Sequence, residues 1–360
     1  MRCWLDVGLL TTPAGARRFS GMVGTGGIGH GSFFLMEGNE TLGREESRAG
    51  RFLDRRDYCK LHIVCHYVKA LLGEGFDVSP VGRVGRDSDG ARLMAEMEAI
   101  GLDMRFVEAV EAIPTLFSFC YLYPDGSGGN LTTRDSASGT VDGSAVRAAE
   151  PLMAALRSAG IALAVPEVPL PARRSLLELA ARHGLFTAAS FTRAEMEEVR
   201  SSGVLELVDL CALNLEEAAA AAGIAHDRIH RGEPAESARR SVEALARECP
   251  RLRLSITAGK TGCWSWDGQE LAFDASVAVK VEGTSGAGDA HLAGVLAGLA
   301  ANLSLQESQE LGTIVAGASV TSPHTIHPAM TGELLRATRA LRKKTSSRVL
   351  ALLDTANGGS

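Results

Sequence analysis

The sequence predicts an α/β fold with a mainly parallel central sheet, and three observations predict it. First, from Val141 onward short apolar runs at 161–165, 185–190, 207–213 and 253–257 alternate with stretches of helical period at 145–159, 173–183, 193–203, 216–222 and 237–249. Strands separated by helices return to a sheet in the same direction. Second, the apolar runs before Gly24 and before Gly82 each end in glycine-rich turns. Third, Val277, Val279 and Val281 lead into a glycine turn at 283–288, and Leu292, Val295, Leu296 and Leu299 leave it at helical spacing. That order reads as strand, tight loop, helix.

Composition narrows the class. The 360 residues are 45% hydrophobic and 22% charged, ample for one large α/β domain with an appendage. A net charge of −6 advertises no face for nucleic acid. No apolar run approaches the roughly 20 residues that span a membrane. Seven scattered cysteines, with no Cys-x-x-Cys, suit a reduced, cytoplasmic protein without a disulfide framework or zinc knuckle. Residues 1–21 lack the apolar core of a signal peptide and read as a disordered extension, and 342–360 as a frayed tail.

In order along the chain, 22–29 is a short strand running into glycines. Gly24, Gly26 and Gly29 satisfy G-x-G-x-x-G, which raises a dinucleotide-binding oxidoreductase as a rival reading. A dinucleotide loop should open straight into a helix, whereas Ser32–Asn39 reads as strand and turn. Residues 40–58 are dense in charge and read as a solvated segment or part of a lid. A helix over 59–72 places Leu61, Val64, Cys65, Val68 and Leu72 on one face, with His62 and His66 sharing a side. Those histidines lack the intervening Glu of a zinc motif and are read as core or substrate-facing. The strand at 78–85 leads through Asp87, placed to cap a helix over 91–100 that ends at Gly101. Residues 115–133 form a hairpin around Pro124-Asp125-Gly126. Glu167 follows a strand end, where open α/β sheets bind ligands. Asn214 and Glu217 have the spacing of a capping box at the next strand end. His226 and His230 read as surface residues. A helix over 305–319 follows the last signature.

The chemistry concentrates at Thr284-Ser285-Gly286-Ala287-Gly288-Asp289. Gly286 and Gly288 let the backbone turn where a side chain would clash. The first amides of the next helix lack internal partners and sit at the positive end of its dipole, which suits a phosphate. A carboxylate there would repel the anion. Asp289 therefore either caps the helix or takes a proton from a hydroxyl attacking a phosphoryl group.

This hexapeptide resembles the C-terminal signature of the ribokinase-like (PfkB) family of carbohydrate and nucleoside kinases, and the likeness extends over about residues 23–341. The resemblance implies a ribokinase-like three-layer sandwich over 22–341, with a small β lid from about 33–58 and 115–135. It implies Asp289 as catalytic base and the amides of Gly286, Ala287 and Gly288 as an anion hole. Thr257-Ala258-Gly259-Lys260-Thr261-Gly262 is similar to the family's nucleotide loop, so Thr257, Gly259, Lys260 and Gly262 are expected along ATP, with Asn214. Asn214 and Glu217 match its Asn-x-x-Glu motif and are expected to position Mg²⁺ largely through water. The resemblance implies ATP and Mg²⁺ as cofactors, a sugar or nucleoside as substrate, and a homodimer formed through the lid. Where relatives carry Gly-Gly-x-Gly-x-Asn, this chain has Tyr58-Cys59-Lys60-Leu61-His62-Ile63. The family's substrate Asp falls near His30 and Gly31, where no acid stands. His30, His62 and Glu167 are the candidate acceptor contacts. Gly283 replaces an Asp that helps hold a monovalent cation in potassium-activated members. A protein that keeps the fold and a ligand but not turnover is a further reading.

Overall fold

The computed structural model describes residues 8–12, 16–224 and 233–354. Its centre is a nine-stranded sheet in the order β13-β12-β11-β10-β9-β8-β1-β4-β5. Strands β1 (Gly21–Thr25), β4 (Asp77–Gly85), β5 (Phe106–Val110), β8 (Gly160–Ala164), β9 (Phe186–Ser190), β10 (Leu210–Asn214) and β11 (Arg253–Thr257) run parallel. β12 (Gly262–Trp266) and β13 (Leu271–Ala275) close one edge antiparallel. Apolar cores lie on both faces of this sheet. One is built from helices Lys60–Leu72, Ala287–Ala300 and Leu305–Ser319, the other from Leu170–His183 and Pro234–Glu248. Burial on both faces explains why β1 and β8 are buried at every position and carry no polar alternation.

A second, four-stranded sheet runs β3-β2-β6-β7, with β2 Gly29–Met36, β3 Gly50–Tyr58, β6 Leu116–Leu122 and β7 Gly128–Thr132. It corresponds to the expected small sheet. The charged segment ends in β3, where Asp57 is buried.

Several sequence expectations give way. After Gly26 the chain enters β2 rather than a helix. That removes the helix N-terminus a dinucleotide loop at Gly24, Gly26 and Gly29 requires. The stretch 277–281 is not a strand. The sheet already ends at β13, so these valines find no ladder partner, and Val281 is 54% exposed. Within the expected extension and tail, some described residues make tertiary contacts. Leu9 and Leu10 donate backbone bonds to Ala70 and Leu71, Thr11 donates to Leu352, and Phe19 is buried. Beyond Arg342, helix Ser347–Leu353 packs Val349, Leu352 and Leu353 into the core, and Arg342 pairs with Asp274. The helix expected over 145–159 is two short helices, Gly143–Arg147 and Glu150–Leu156, broken where Pro151 enters. His226 and His230 lie outside the described residues.

Candidate active site

The cleft forms where the parallel strands point their C-terminal ends, the position at which open α/β sheets bind ligands. Ala212, Leu213 and Asn214 at the end of β10, Thr257 at the end of β11, and Gly288, Asp289 and His291 on helix Ala287–Ala300 line a cavity of about 110 Å³ with Lys60 and Glu217.

Helix Ala287–Ala300 begins as its sequence dictates. Gly286 is the N-cap, with φ of 77°. A Cβ there would meet Thr325 O at 2.8 Å, so both conformation and space call for glycine. Ala287 N–H is already used, donating to Thr284 O at 3.2 Å, and Ala290 N–H donates to Gly286 O. The amides of Gly286, Gly288 and Asp289 have no protein acceptor among the described residues. Of the three amides expected to bind an anion, that of Ala287 closes the turn, while those of Gly286 and Gly288, with that of Asp289, stay free of protein acceptors among the described residues. A Cβ on Gly288 would touch nothing within 4 Å, so this position opens onto free space.

Asp289 does not cap. The N-cap is a glycine with no side-chain cap bond, and the Asp289 carboxylate instead lies 3.4 Å from Lys60 Nζ. Lys60 opens helix Lys60–Leu72 and is 33% exposed, against 14% for Asp289. Asp289 first, then Glu167 and Glu217, hold the Lys60 ammonium firmly protonated.

Glu167 reaches the same region from the loop after β8. Its Oε2 accepts the Lys60 amide at 3.0 Å, and burial raises its carboxyl to about 7 despite the opposing pull of Lys60. Its backbone holds φ of 77°, uncommon for a non-glycine residue and costly. Gly27 makes room: a Cβ there would lie 2.4 Å from Glu167 Oε2. Asp57 enters from β3. Burial raises it to about 6, and its Oδ2 accepts from the Cys120 thiol at 3.4 Å. Gly31 clears its path, since a Cβ there would fall 2.1 Å from Asp57 Oδ2.

Asn214 and Glu217 form a reciprocal cap at the start of helix Leu215–Ala221. Asn214 N–H donates to Glu217 Oε2 at 2.8 Å, and Glu217 N–H donates to Asn214 Oδ1 at 2.8 Å. Burial raises the Glu217 carboxyl. Among the described residues no three His, Cys, Asp or Glu side chains converge on a metal position. The donors here fit a cation carried on phosphate and reached through water, not one caged by protein.

Thr257 faces the cavity, but Gly259, Lys260 and Gly262 do not line it. Lys260 is exposed on the loop, and its carbonyl accepts from Ser276 Oγ. Gly262, with φ of 125°, fits where a Cβ would come 2.2 Å from Asp274 O. Two acceptor candidates do not line this cavity. His62 is 1% exposed, its ring is 4.5 Å from the Tyr58 ring, and burial holds it neutral. His30 points to the other side of β2 from Gly29 and Gly31, pairing with Asp89 at 3.3 Å and packing on Phe117. Sequence reasoning missed Lys60, Asp57 and His291. For Lys60 a signal existed: it sits inside the segment that replaces the family's glycine run. Buried His291, held neutral down to about 4, has no residue-level signal.

The site thus combines free amides at a helix start with a carboxylate beside them that caps nothing. Residues 64–331 match the pfkB family of carbohydrate kinases, and the chain belongs to that family. The bifunctional protein HldE of Methylobacillus flagellatus is 28% identical over 263 residues, which cover 71% of this chain and 51% of that protein. The chain thus spans about half the length of this curated relative. Ribokinase from Cryptococcus neoformans, solved with ADP, superposes with a TM-score of 0.72 at 19% identity, over 89% of this chain and 99% of that one. A nucleoside kinase of Burkholderia thailandensis, solved with inosine, does so with a TM-score of 0.68 at 16% identity, over 90% and 99%. Identities this low speak for the shared fold.

Proposed function

We propose that the protein transfers the γ-phosphoryl group of ATP to a hydroxyl of a small molecule, a sugar or a nucleoside. The observation that carries this reading is the Asp289 carboxylate: it caps nothing, faces the cleft, and sits one residue from the free amide of Gly288.

In this reading Asp289 accepts the proton of the acceptor hydroxyl as that oxygen attacks. The amides of Gly286, Gly288 and Asp289 receive the charge that develops on the transferred phosphoryl oxygens. Lys60 adds a positive charge beside the reacting group. Glu167, held by the Lys60 amide, is positioned to accept from an acceptor hydroxyl, with Asp57 behind it. Asn214, Thr257 and the loop through Gly262 lie along ATP. Glu217 and Asn214 would hold a Mg²⁺ through water, and it would supply charge neutralisation for the phosphates. The ADP and inosine in the two structural relatives support a nucleotide donor and a sugar-bearing acceptor for the fold.

A thermal-shift panel of sugars and nucleosides, each with and without a Mg²⁺ complex of a non-hydrolysable ATP analogue, tests the reading. The analogue should stabilise the protein, and one acceptor class should stabilise it further. Stabilisation by NADH or NADPH with none by the ATP analogue would overturn it. An acceptor that binds without ADP formation would reduce the protein to a ligand-binding relative.

A further inference from the structure

At the opposite end of the central strands lies a larger cavity, about 440 Å³, within the size range of small-molecule sites. The residues that lead into β1, β9, β10 and β11 line it, and three of them are arginines: Arg18, Arg251 and Arg253. Among the described residues, no carboxylate lies within ion-pair distance of any of the three guanidiniums. None of them donates a hydrogen bond to protein there either. The Arg18 guanidinium lies 4.8 Å from the Phe19 ring centroid and 5.8 Å from that of Phe186, and Arg253 lies 6.0 Å from Phe186. Phe19 and Phe186 pack together at 5.5 Å. An aromatic floor therefore holds two guanidiniums in place while leaving their N–H groups unspent.

Two acids share the cavity wall. Asp209 commits Oδ2 to the amide and hydroxyl of Thr187, at 2.9 and 3.0 Å. Glu206 stands beside it. Asp267 feels Arg253 at longer range. Three cations against Glu206 and Asp209 leave the wall net positive, on a chain whose net charge is −6. Guanidiniums that have no ion-pair partner among the described residues and line one concavity of an acidic protein are complementary to a dianion, and their planar forks suit phosphate.

We infer that this cavity is a second, non-catalytic site that binds a small molecule bearing a phosphate dianion, by bidentate contacts from Arg18 and Arg253 with Arg251 at the rim. β10 and β11 join it directly to the cleft, since the strands that begin here end at Asn214 and Thr257. Five residues at about 3.3 Å each set the two sites roughly 15 Å apart.

Titration calorimetry of the full chain tests this with inorganic phosphate, glucose 6-phosphate and AMP, and with glucose and adenosine as uncharged controls. The phosphate-bearing probes should bind saturably, and any binding of glucose or adenosine in the cleft should be unchanged by the arginine substitutions that weaken the phosphate signal. Arg18→Gln/Arg253→Gln should weaken binding by roughly ten- to a hundredfold, the worth of lost charged hydrogen bonds. Arg251→Glu, at an exposed position, keeps the test valid should the double variant fail to fold. It should also weaken binding and steepen its salt dependence. A tighter response to glucose 6-phosphate or AMP than to phosphate assigns an ester as ligand, and equal responses assign free phosphate. Binding unchanged in the folded variants, or no binding of any phosphate probe at millimolar concentration, would overturn the site. The readout needs no catalysis, so a missing kinase activity leaves it standing.

Discussion

Asp289→Asn separates proton transfer from every structural role the residue could have. The substitution keeps size and hydrogen-bonding capacity and removes the charge. Its structural cost is set by the partner, Lys60 Nζ at 3.4 Å. Coulomb attraction at that distance is about 5 kcal/mol at an effective dielectric near 20. Lys60 is 33% exposed, so screening and the cost of desolvating both groups reduce the net worth to about 1 kcal/mol. For a chain of this size that is a fall in Tm of roughly 1–3 °C. Nucleotide affinity should hold or improve, because a negative charge beside the phosphates is gone and Lys60 is freed. Turnover should fall by about 10²–10⁴-fold, the worth of general base catalysis. The assay is ADP release with the acceptor identified by thermal shift, alongside calorimetric ATP affinity and a melting curve. A variant that folds, binds ATP and keeps more than about a tenth of wild-type turnover would refute the mechanism, since losing a general base costs well over tenfold.

Gly288→Ala should leave Tm level or slightly higher, because the new Cβ enters open space within a helix, yet reduce turnover by crowding the anion hole; wild-type kcat with unchanged KM would argue against the site. Gly286→Ala should instead lower Tm, since its φ of 77° and the Thr325 carbonyl 2.8 Å away exclude a side chain. Burial raises Glu167 to about 7 and Asp57 to about 6, so both favour the protonated folded state. Their contribution is complete below the ordinary carboxylate range and is lost as pH rises through 6 to 7. Glu167→Gln and Asp57→Asn should therefore flatten the decline in Tm between pH 5 and 8, and an unaltered slope would place the protons elsewhere. Phe52 and Leu131 are 65% and 62% exposed on the small sheet, whose outer strands β3 and β7 each pair with one strand among the described residues. Light scattering should give a homodimer, and a monomer at high micromolar concentration would exclude it.

What could be read from the sequence was local. The Gly-Ala-Gly-Asp turn, the capping box of Asn214 and Glu217, the 115–133 hairpin and the alternation beyond Val141 are all written within a few residues. Each rests on backbone conformation, capping or periodicity, which act at short range. Tertiary structure decided the rest. Lys60 meets Asp289 across 229 positions of sequence, and Glu167 brings its carboxyl to a site formed by a helix start 120 residues on. No local rule anticipates either, because their meeting depends on how helix Lys60–Leu72 packs beside helix Ala287–Ala300. The same holds for the valines at 277–281, whose β preference lost for want of a neighbouring strand. It holds equally for residues 347–353, which look weakly amphipathic alone and become helix because a core awaits Val349 and Leu352. Sequence determined the chemistry available at each position. Only the packing of distant elements decided which of those groups share a cleft, because long-range contacts are set by the summed burial of whole faces and not by any single segment.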